Sequence, residues 1–480
     1  MVTSSLKKTT AVWIILVLVL FVLAVIFGIA MRFSQGNDLS LSPVTFYTLM
    51  TTHGVTMVGI WFVAGLAGVH YLLARYVKVS ARTSIFAMLL TVIGVVLLWV
   101  STFVGSFHAA WTFLYPLPLH IVGWEQWATP VFLFSLGIMG IGWMVWTVDL
   151  LAQILKKYSL TRAFGWQHLK KNPDFETPPF IMITTVTLIG IITCLFSAVL
   201  LLVLYFAEYF SAGSFTNDPL LMKNLTYFFG HTIINEALYL GLAALYELFP
   251  EVSGRPKFKN TWYVTLAWNC TMVFILTAFF HHLYMDFVQP VGFQFVGQIA
   301  SYFSSLPAAT VTAFSIIVVV FKNRIQWSII NLLFFIGVMG WLTGGVGAVI
   351  DATISNNFIL HNTLWVPAHF HTYNALGNVL FSLAFFSWAA NEFSNNHERN
   401  KYDMIKIILL LVGGVGFVLM FYLGGADSVP RRFSMYPPEF TSAALWASAG
   451  AWFAIAYLLA ILLMLFNIVR KCIKVFSPAS

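Results

Sequence analysis

The sequence predicts an all-α, polytopic membrane protein of about twelve transmembrane helices. Two observations predict it. Of 480 residues, 60% are hydrophobic and only 9% charged, against roughly 25% charged in a soluble domain. The apolar residues also gather into runs long enough to cross ~30 Å of hydrocarbon at about 1.5 Å per residue. These runs fall at 11–31, 45–74, 83–106, 127–153, 179–206, 225–249, 262–285, 293–321, 325–350, 361–390, 405–424 and 441–468. Little is left over for a soluble domain, and no repeat, low-complexity segment or linker divides the chain, so residues 1–480 read as one transmembrane domain.

The first run follows Lys7 and Lys8, as in a signal peptide, but it is about twenty residues long and lacks a small-residue cleavage site. It therefore reads as a retained span. An even number of spans puts both termini on one side, and the basic residues say which. Lys7, Lys8, Arg75, Lys78, Arg82, Lys156, Lys157, Arg162, Lys170, Lys171, Arg255, Lys257, Lys259, Lys322, Arg324, Arg399, Lys401, Lys406, Arg470, Lys471 and Lys474 share that side. Only Arg32, Lys223, Arg431 and Arg432 face the other. Twenty-one against four is a positive-inside bias, so both termini are expected to be cytoplasmic. The net charge of +8 then reflects topology, and membrane lipid rather than nucleic acid is the expected surroundings. Cys194, Cys270 and Cys472 are scattered and support neither a disulfide framework nor a zinc or iron–sulfur site.

The topology gives a depth test for histidines. His53 lies about nine residues into the second span, His231 about seven into the sixth, and His281-His282 near the outer end of the seventh. His369 and His371 sit roughly two turns into the tenth. All six converge on the outer half of the membrane, where an ionisable side chain needs a partner. His70 and His108 read as interfacial or core residues, His120 as an outer-loop residue, and His168 and His397 as residues of polar cytoplasmic loops.

Helix geometry sorts the six. His369 and His371 point about 200° apart, at about 100° per residue. They cannot share a metal, but they can serve two centres on opposite sides of the tenth helix. His281 and His282, about 100° apart, can share one metal with a third imidazole, and His231 is the natural third. Three imidazoles suit copper, zinc or iron. His53 is left to pair with His369 or His371 across a haem, with the other as sole ligand of a second haem.

On these residues the chain resembles subunit I of the haem-copper oxidoreductases, most closely the B-type branch. The matching stretches are Trp-Thr-Phe-Leu-Tyr-Pro (111–116), Gly-His (230–231), His-His (281–282), His-Asn-Thr-Leu-Trp-Val-Pro-Ala-His-Phe-His (361–371) and Pro-Arg-Arg-Phe (430–433). The resemblance implies that His53 and His371 ligate a low-spin haem of b type and His369 a high-spin haem of b3 or a3 type. It assigns His231, His281 and His282 to the facing metal, copper or non-haem iron. Arg431 and Arg432 match the pair that holds haem propionates, and His361 matches a histidine beside them. A bacterial or archaeal cytoplasmic membrane is implied, as is a cytochrome c or similar one-electron donor. No Cys-x-x-Cys-His or copper-rich cysteine cluster occurs. The electron-entry centre, dinuclear copper or a cytochrome c domain, is therefore expected on a partner subunit II.

The departures from the family pattern concern the substrate. Oxygen reductases of the family carry a tyrosine four residues after the first metal histidine, on the same helix face. Here that residue is Asn235. The C-type enzymes supply their tyrosine about six residues before the histidine pair, which here is Ile275. Nitric oxide reductases of the superfamily lack the tyrosine, and some carry a glutamate in its place; here the acid stands one residue on, at Glu236. Asn235, as a hydrogen-bond donor or weak ligand, and Glu236, as a proton donor, are the catalytic candidates. Tyr246, Thr312 and Ser315 resemble the hydroxyl ladder of the B-type proton channel, with Ser305 and Thr310 nearby. Asn357 falls where that branch has an acid near the propionates. The expected activity is nitric oxide reduction. The alternative is a terminal cytochrome c oxidase reducing O2 to water, with or without proton pumping. A non-catalytic b-type electron carrier or an ion transporter is disfavoured, because mere electron transfer needs no tris-histidine centre.

Overall fold

A computed structural model describes residues 2–321 and 325–477. Lys322 and Arg324, two of the basic residues that set the expected topology, lie outside the described residues. The described chain is helical, with no strand beyond one isolated bridge between Thr363 and Pro430. Eleven of its helices are long and apolar enough to cross a membrane: Ser4–Gln35, Pro43–Leu73, Ala81–Val104, Ala128–Lys157, Pro179–Phe210, Pro219–Val252, Trp262–Leu283, Gly292–Phe321, Ile329–Ala352, Asp403–Ala426 and Ala443–Phe476. The tenth expected span is assembled differently. Trp365–Tyr373 runs through a π turn at Asn374–Asn378 into Val379–Ser394. With it, the spans are numbered as the first to twelfth helices in chain order.

Local chemistry explains many of the boundaries. Thr3, Ser42, Ser80, Asp218, Thr261 and Ser328 each accept a hydrogen bond from a backbone N–H of the first turn they precede. Each so satisfies one of the four donors a helix start leaves unpaired. Pro43, Pro179 and Pro219 open their helices, where a missing N–H costs nothing. Two starts differ from the expected positions. The sixth helix begins at Pro219 rather than 225, so His231 lies twelve residues in. The tenth begins at Trp365 rather than 361, so His369 is one turn in rather than two. At the sixth helix the Asp218 cap and Pro219, not the apolar run itself, decide where the helix starts.

Two features hold the histidine-bearing helices in place. At the basic end, Glu247 of the sixth helix is only 2% exposed and takes both Arg75 and Lys257 at 2.8 Å, tying the second and seventh helix ends to the sixth. At mid-depth, Gly337, Gly340, Gly344 and Gly347 form one stripe of the ninth helix, spaced by three and four. A Cβ on Gly337 would meet Phe381 at 2.6 Å, one on Gly344 would meet Tyr373 at 2.6 Å, and one on Gly347 would meet His369 Cβ at 3.0 Å. A Cβ on Gly340 would overlap Leu376 O outright. The tenth helix is thus seated backbone-close, as small residues allow between membrane helices. The π turn follows Tyr373 directly, so the Leu376 carbonyl that meets Gly340 belongs to the wider turn.

Gly340→Ala should therefore destabilise the protein by about 1–3 kcal/mol, since the obstacle is backbone. Gly140→Ala, whose Cβ would meet nothing within 4 Å, should be neutral or slightly stabilising. Thermal unfolding of both variants in detergent checks the difference, and equal midpoints would contradict the close approach.

Candidate metal centre

The seventh helix tightens after Ala278 into a 3-10 turn, Phe279–Leu283, that carries His281 and His282. The loop beyond is held to the sixth helix by Lys223 on Asp286 and Asn224 on Gln289. This brings the pair against His231. One ligand nitrogen from each of the three lies within 4.8 Å of the others, and the ring centroids are 4.2–5.4 Å apart.

Hydrogen bonds define the tautomer of His281. Ser301 Oγ donates to a carbonyl, Gly297 O at 2.6 Å or Ala278 O at 3.3 Å. Its one proton thus committed, it accepts from His281 Nδ1 at 2.9 Å. Nε2 of His281 is left free to ligate, an arrangement typical of metal-binding imidazoles. Nδ1 of His231 is buried without a partner. His282 is stacked on Tyr227 with an interplanar angle of 15°.

A single cavity is lined by His231, His281 and His282 together with His369. His53 and His371 line a second. Phe370 and Trp111 border both, so the tenth helix presents one histidine to each side, as its period requires. His53 Nδ1 lies 2.7 Å from Ala24 O, and His371 Nδ1 2.7 Å from Pro367 O. Both donate there and leave Nε2 available. A Cβ on Gly28 would lie 2.9 Å from His53 Cε1, so glycine makes room for the ring.

Arg431 and Arg432 also border both cavities. Arg431 N donates to Asn362 O at 2.9 Å and Tyr47 OH to Arg432 O at 2.9 Å, which pins the loop. Nε of Arg431, and Nε and Nη2 of Arg32, are buried without hydrogen-bond partners. Burial, and then Arg432, hold the Arg431 guanidinium down at about 10. Buried guanidinium N–H groups without partners call for an anion. His361 Nε2 is 3.4 Å from Arg431 Nη2. Two histidine-bearing cavities sharing Arg431 and Arg432 at their rim, with unpartnered guanidinium nitrogens on Arg431 and Arg32 and three imidazoles converging in one cavity, fit two haems with carboxylate tails and one metal ion.

Asn235 lines the first cavity; its amide donates to His231 O at 2.8 Å and lies 3.4 Å from His231 Nε2. Glu236 is a correction. Its side chain packs against Gly190 of the fifth helix, 1% exposed, with Oε2 unpartnered, and it does not line the cavity. One residue's rotation puts it behind the site, which removes the geometric ground for a catalytic part. Tyr246 OH and Thr312 Oγ1 meet at 3.0 Å. Ser315 bonds Val311 O of its own helix, and Thr310 is exposed and bonds Leu306 O, so Thr310 stands on the outward face. Asn357 donates to Asp351 O at 2.8 Å. His168, in the segment between the fourth and fifth helices, is buried there and accepts from Thr177 N at 3.1 Å. His70 is a core residue bonded by Trp146 Nε1 at 3.0 Å.

Sequence reasoning missed Asp351. This acid of the ninth helix is 2% exposed, and its Oδ2 lies 3.3 Å from His369 Nδ1, close but poorly aligned. Its signal was available: it is the one acid in the apolar run Ile329–Ala352. Ser301 carried no signal, since only the fold brings it to His281.

A multi-span helical protein with three convergent imidazoles in one cavity, a fourth across it and two more in a second cavity defines a membrane redox protein of the haem and metal class. The sequence family described as "Cytochrome C and Quinol oxidase polypeptide I" matches residues 8–462, and the chain belongs to this haem-copper oxidase subunit I family. It is 26% identical over 436 residues to cytochrome c oxidase polypeptide 1 of Halobacterium salinarum, covering 87% of this chain and 70% of the relative. It is 25% identical over 431 residues to cytochrome c oxidase subunit 1 of Synechocystis, covering 86% and 74%. A solved heme-copper terminal oxidase dimer superposes with a TM-score of 0.77 at 19% identity, over 100% of this chain and 85% of the other. The chain is thus an oxidoreductase subunit of a family that binds haems and a metal centre and works with a second subunit and an electron donor.

His281→Ala should abolish turnover and lower the non-haem metal content while leaving the low-spin haem spectrum intact. Loss of that spectrum as well would overturn the division between the cavities. Ser301→Ala should weaken metal retention about 10–100-fold, the usual cost of removing a partner that orients a ligand; metal content after graded chelation measures it.

Proposed function

We propose that this chain is the catalytic subunit of a nitric oxide reductase of the B-type branch, converting 2 NO, two electrons and two protons to N2O and water. The observation that carries the reading is Asn235. It lines the cavity one helical turn from His231, where oxygen reductases of the family have their tyrosine. An amide cannot release the hydrogen atom that cleaves an O–O bond. It can donate a hydrogen bond to a small diatomic ligand.

In this reading His53 and His371 hold the low-spin haem, His369 the high-spin haem, and His231, His281 and His282 the metal. Three neutral imidazoles with Glu236 turned away suit copper better than iron. The bound groups supply electron transfer and a pair of metals that take up the diatomic ligand. The protein orients the ligating rings, receives the propionates on Arg431 and Arg432 with Arg32 nearby, and brings protons from the cytoplasmic side. Electrons enter through a partner subunit II that bears a dinuclear copper or cytochrome c domain. Both termini lie on the cytoplasmic side of a prokaryotic membrane.

The second reading, reduction of O2 to water, is favoured by the names of the relatives and by two phenols that line the cavity, Tyr373 and Tyr227, the latter stacked on His282. Consumption of NO and of O2 by the purified complex decides between the two. Fast O2 turnover with negligible NO reduction would falsify the nitric oxide reading. Asn235→Tyr should lower NO turnover, by about tenfold if the amide contributes one transition-state hydrogen bond; unchanged or faster NO turnover would remove Asn235 from the chemistry.

A further inference from the structure

The buried positions of the eighth helix are Gly297, Ala300, Ser301, Ser304, Ser305, Ala308, Thr312 and Ile316. They recur by three and four, so they form one stripe, and the large side chains Phe303, Leu306 and Phe314 face outward. Four of the eight carry hydroxyls. Serine and threonine are common on packed faces of membrane helices; here three of the four hydroxyls reach polar groups of other helices, while Ser304 Oγ bonds Ser301 O of its own helix. Thr312 meets Tyr246 OH at 3.0 Å, Ser301 meets His281 Nδ1 at 2.9 Å, and Ser304 O accepts from Tyr239 OH at 3.0 Å. Ser305 Oγ meets Tyr373 OH at 3.4 Å.

Tyr373 stands four residues after His369, on the same face of the tenth helix, and lines the cavity with Ser301, Ser304, Ser305 and the histidines. Its ring occupies a slot made for it, since a Cβ on Gly344 would lie 2.6 Å from Tyr373 Cδ2. On the sixth helix, Asn235 holds the position where the family's phenol would be sought; Tyr227 lines the cavity stacked on His282, and Tyr239, outside the lining, donates to Ser304 O. We propose that Tyr373 is the phenol that hands protons to the cavity, and that the hydroxyl stripe of the eighth helix feeds it through Ser305. This rests on the reading of the cavity as the catalytic site.

The step involves O–H bonds alone. Tyr373 O–H gives its proton to the substrate in the cavity while Ser305, in one concerted relay, passes its own to the phenol oxygen and takes another from the Tyr246–Thr312 side, and that pair is refilled from the basic end. One proton moves from the basic end to the cavity, and no electron leaves the tyrosine. Thr312 and Ser305 are two helical turns apart, about 10.5 Å. Only Ala308 stands between them on the stripe, so the hand-over requires a chain of about three waters in hydrogen-bond contact.

The test uses the purified complex with whichever acceptor the wild type consumes faster. Tyr373→Phe keeps the ring in its slot and removes only the hydroxyl. Turnover should fall by about tenfold or more, in the range of a lost proton donor, and the solvent deuterium isotope effect should change. Haem spectra and the rate of carbon monoxide binding to the reduced enzyme should stay as in the wild type. Ser305→Ala, which leaves the phenol in place, should act in the same direction, and Thr310→Val on the outward face should do nothing. Tyr373→Phe turnover within about twofold of wild type with an unchanged isotope effect overturns the proposal. So does a loss accompanied by altered spectra and ligand binding, which would mark a structural role. Preference of the wild type for O2 over NO would overturn the nitric oxide reading alone, because the variant-to-wild-type ratio is read with either acceptor.

Discussion

The site depends on one helix acting as a wall between two cavities. Residues 369 and 371 face opposite ways because an α-helix turns by about 100° per residue. That opposition is useful only if the wall neither rotates nor shifts. The ninth helix prevents both with four glycines that let the tenth approach at backbone distance, from Phe381 at one end to His369 at the other. A larger residue at mid-stripe would push His369 and Tyr373 together, since they lie on the surface being displaced.

With the wall in place, the remaining problem is electrostatic. Imidazoles and guanidinium groups are costly to bury unless each polar atom is engaged. The structure meets this unevenly. His53, His371 and His281 each have Nδ1 committed to a carbonyl or hydroxyl, which leaves a defined lone pair facing a cavity. Nε of Arg431, Nε and Nη2 of Arg32, and Nδ1 of His231 are left without partners. Unsatisfied polar atoms aimed at shared cavities record what those cavities hold.

The six histidines, the arginine pair, and Tyr246 and Thr312 as separate candidates were legible in the sequence; the contact between the last two came from the structure. Each stands in a distinctive local pattern, or at a depth that hydropathy fixes. What was not legible depended on rotation or on a partner helix. Glu236 and Asn235 are neighbours in the chain, yet Asn235 lines the cavity and Glu236 meets Gly190 of the fifth helix. His168 lies in a loop that reads as polar and is buried beneath Thr177. Tyr373 reads as an ordinary aromatic residue near the end of a motif. Its hydroxyl gains meaning only beside Ser305, which is 68 residues away.

Composition and periodicity thus determined by themselves that this is a bundle of membrane-length helices whose histidines stand at set places along the runs. Those properties are one-dimensional: a run's length sets whether it can span, and a residue's place in the run sets its depth. The tertiary structure alone decided which groups face which cavity and which hydroxyls join into a stripe. Azimuth around a helix axis is set by the neighbours it packs against, and the chain's own period leaves that choice open.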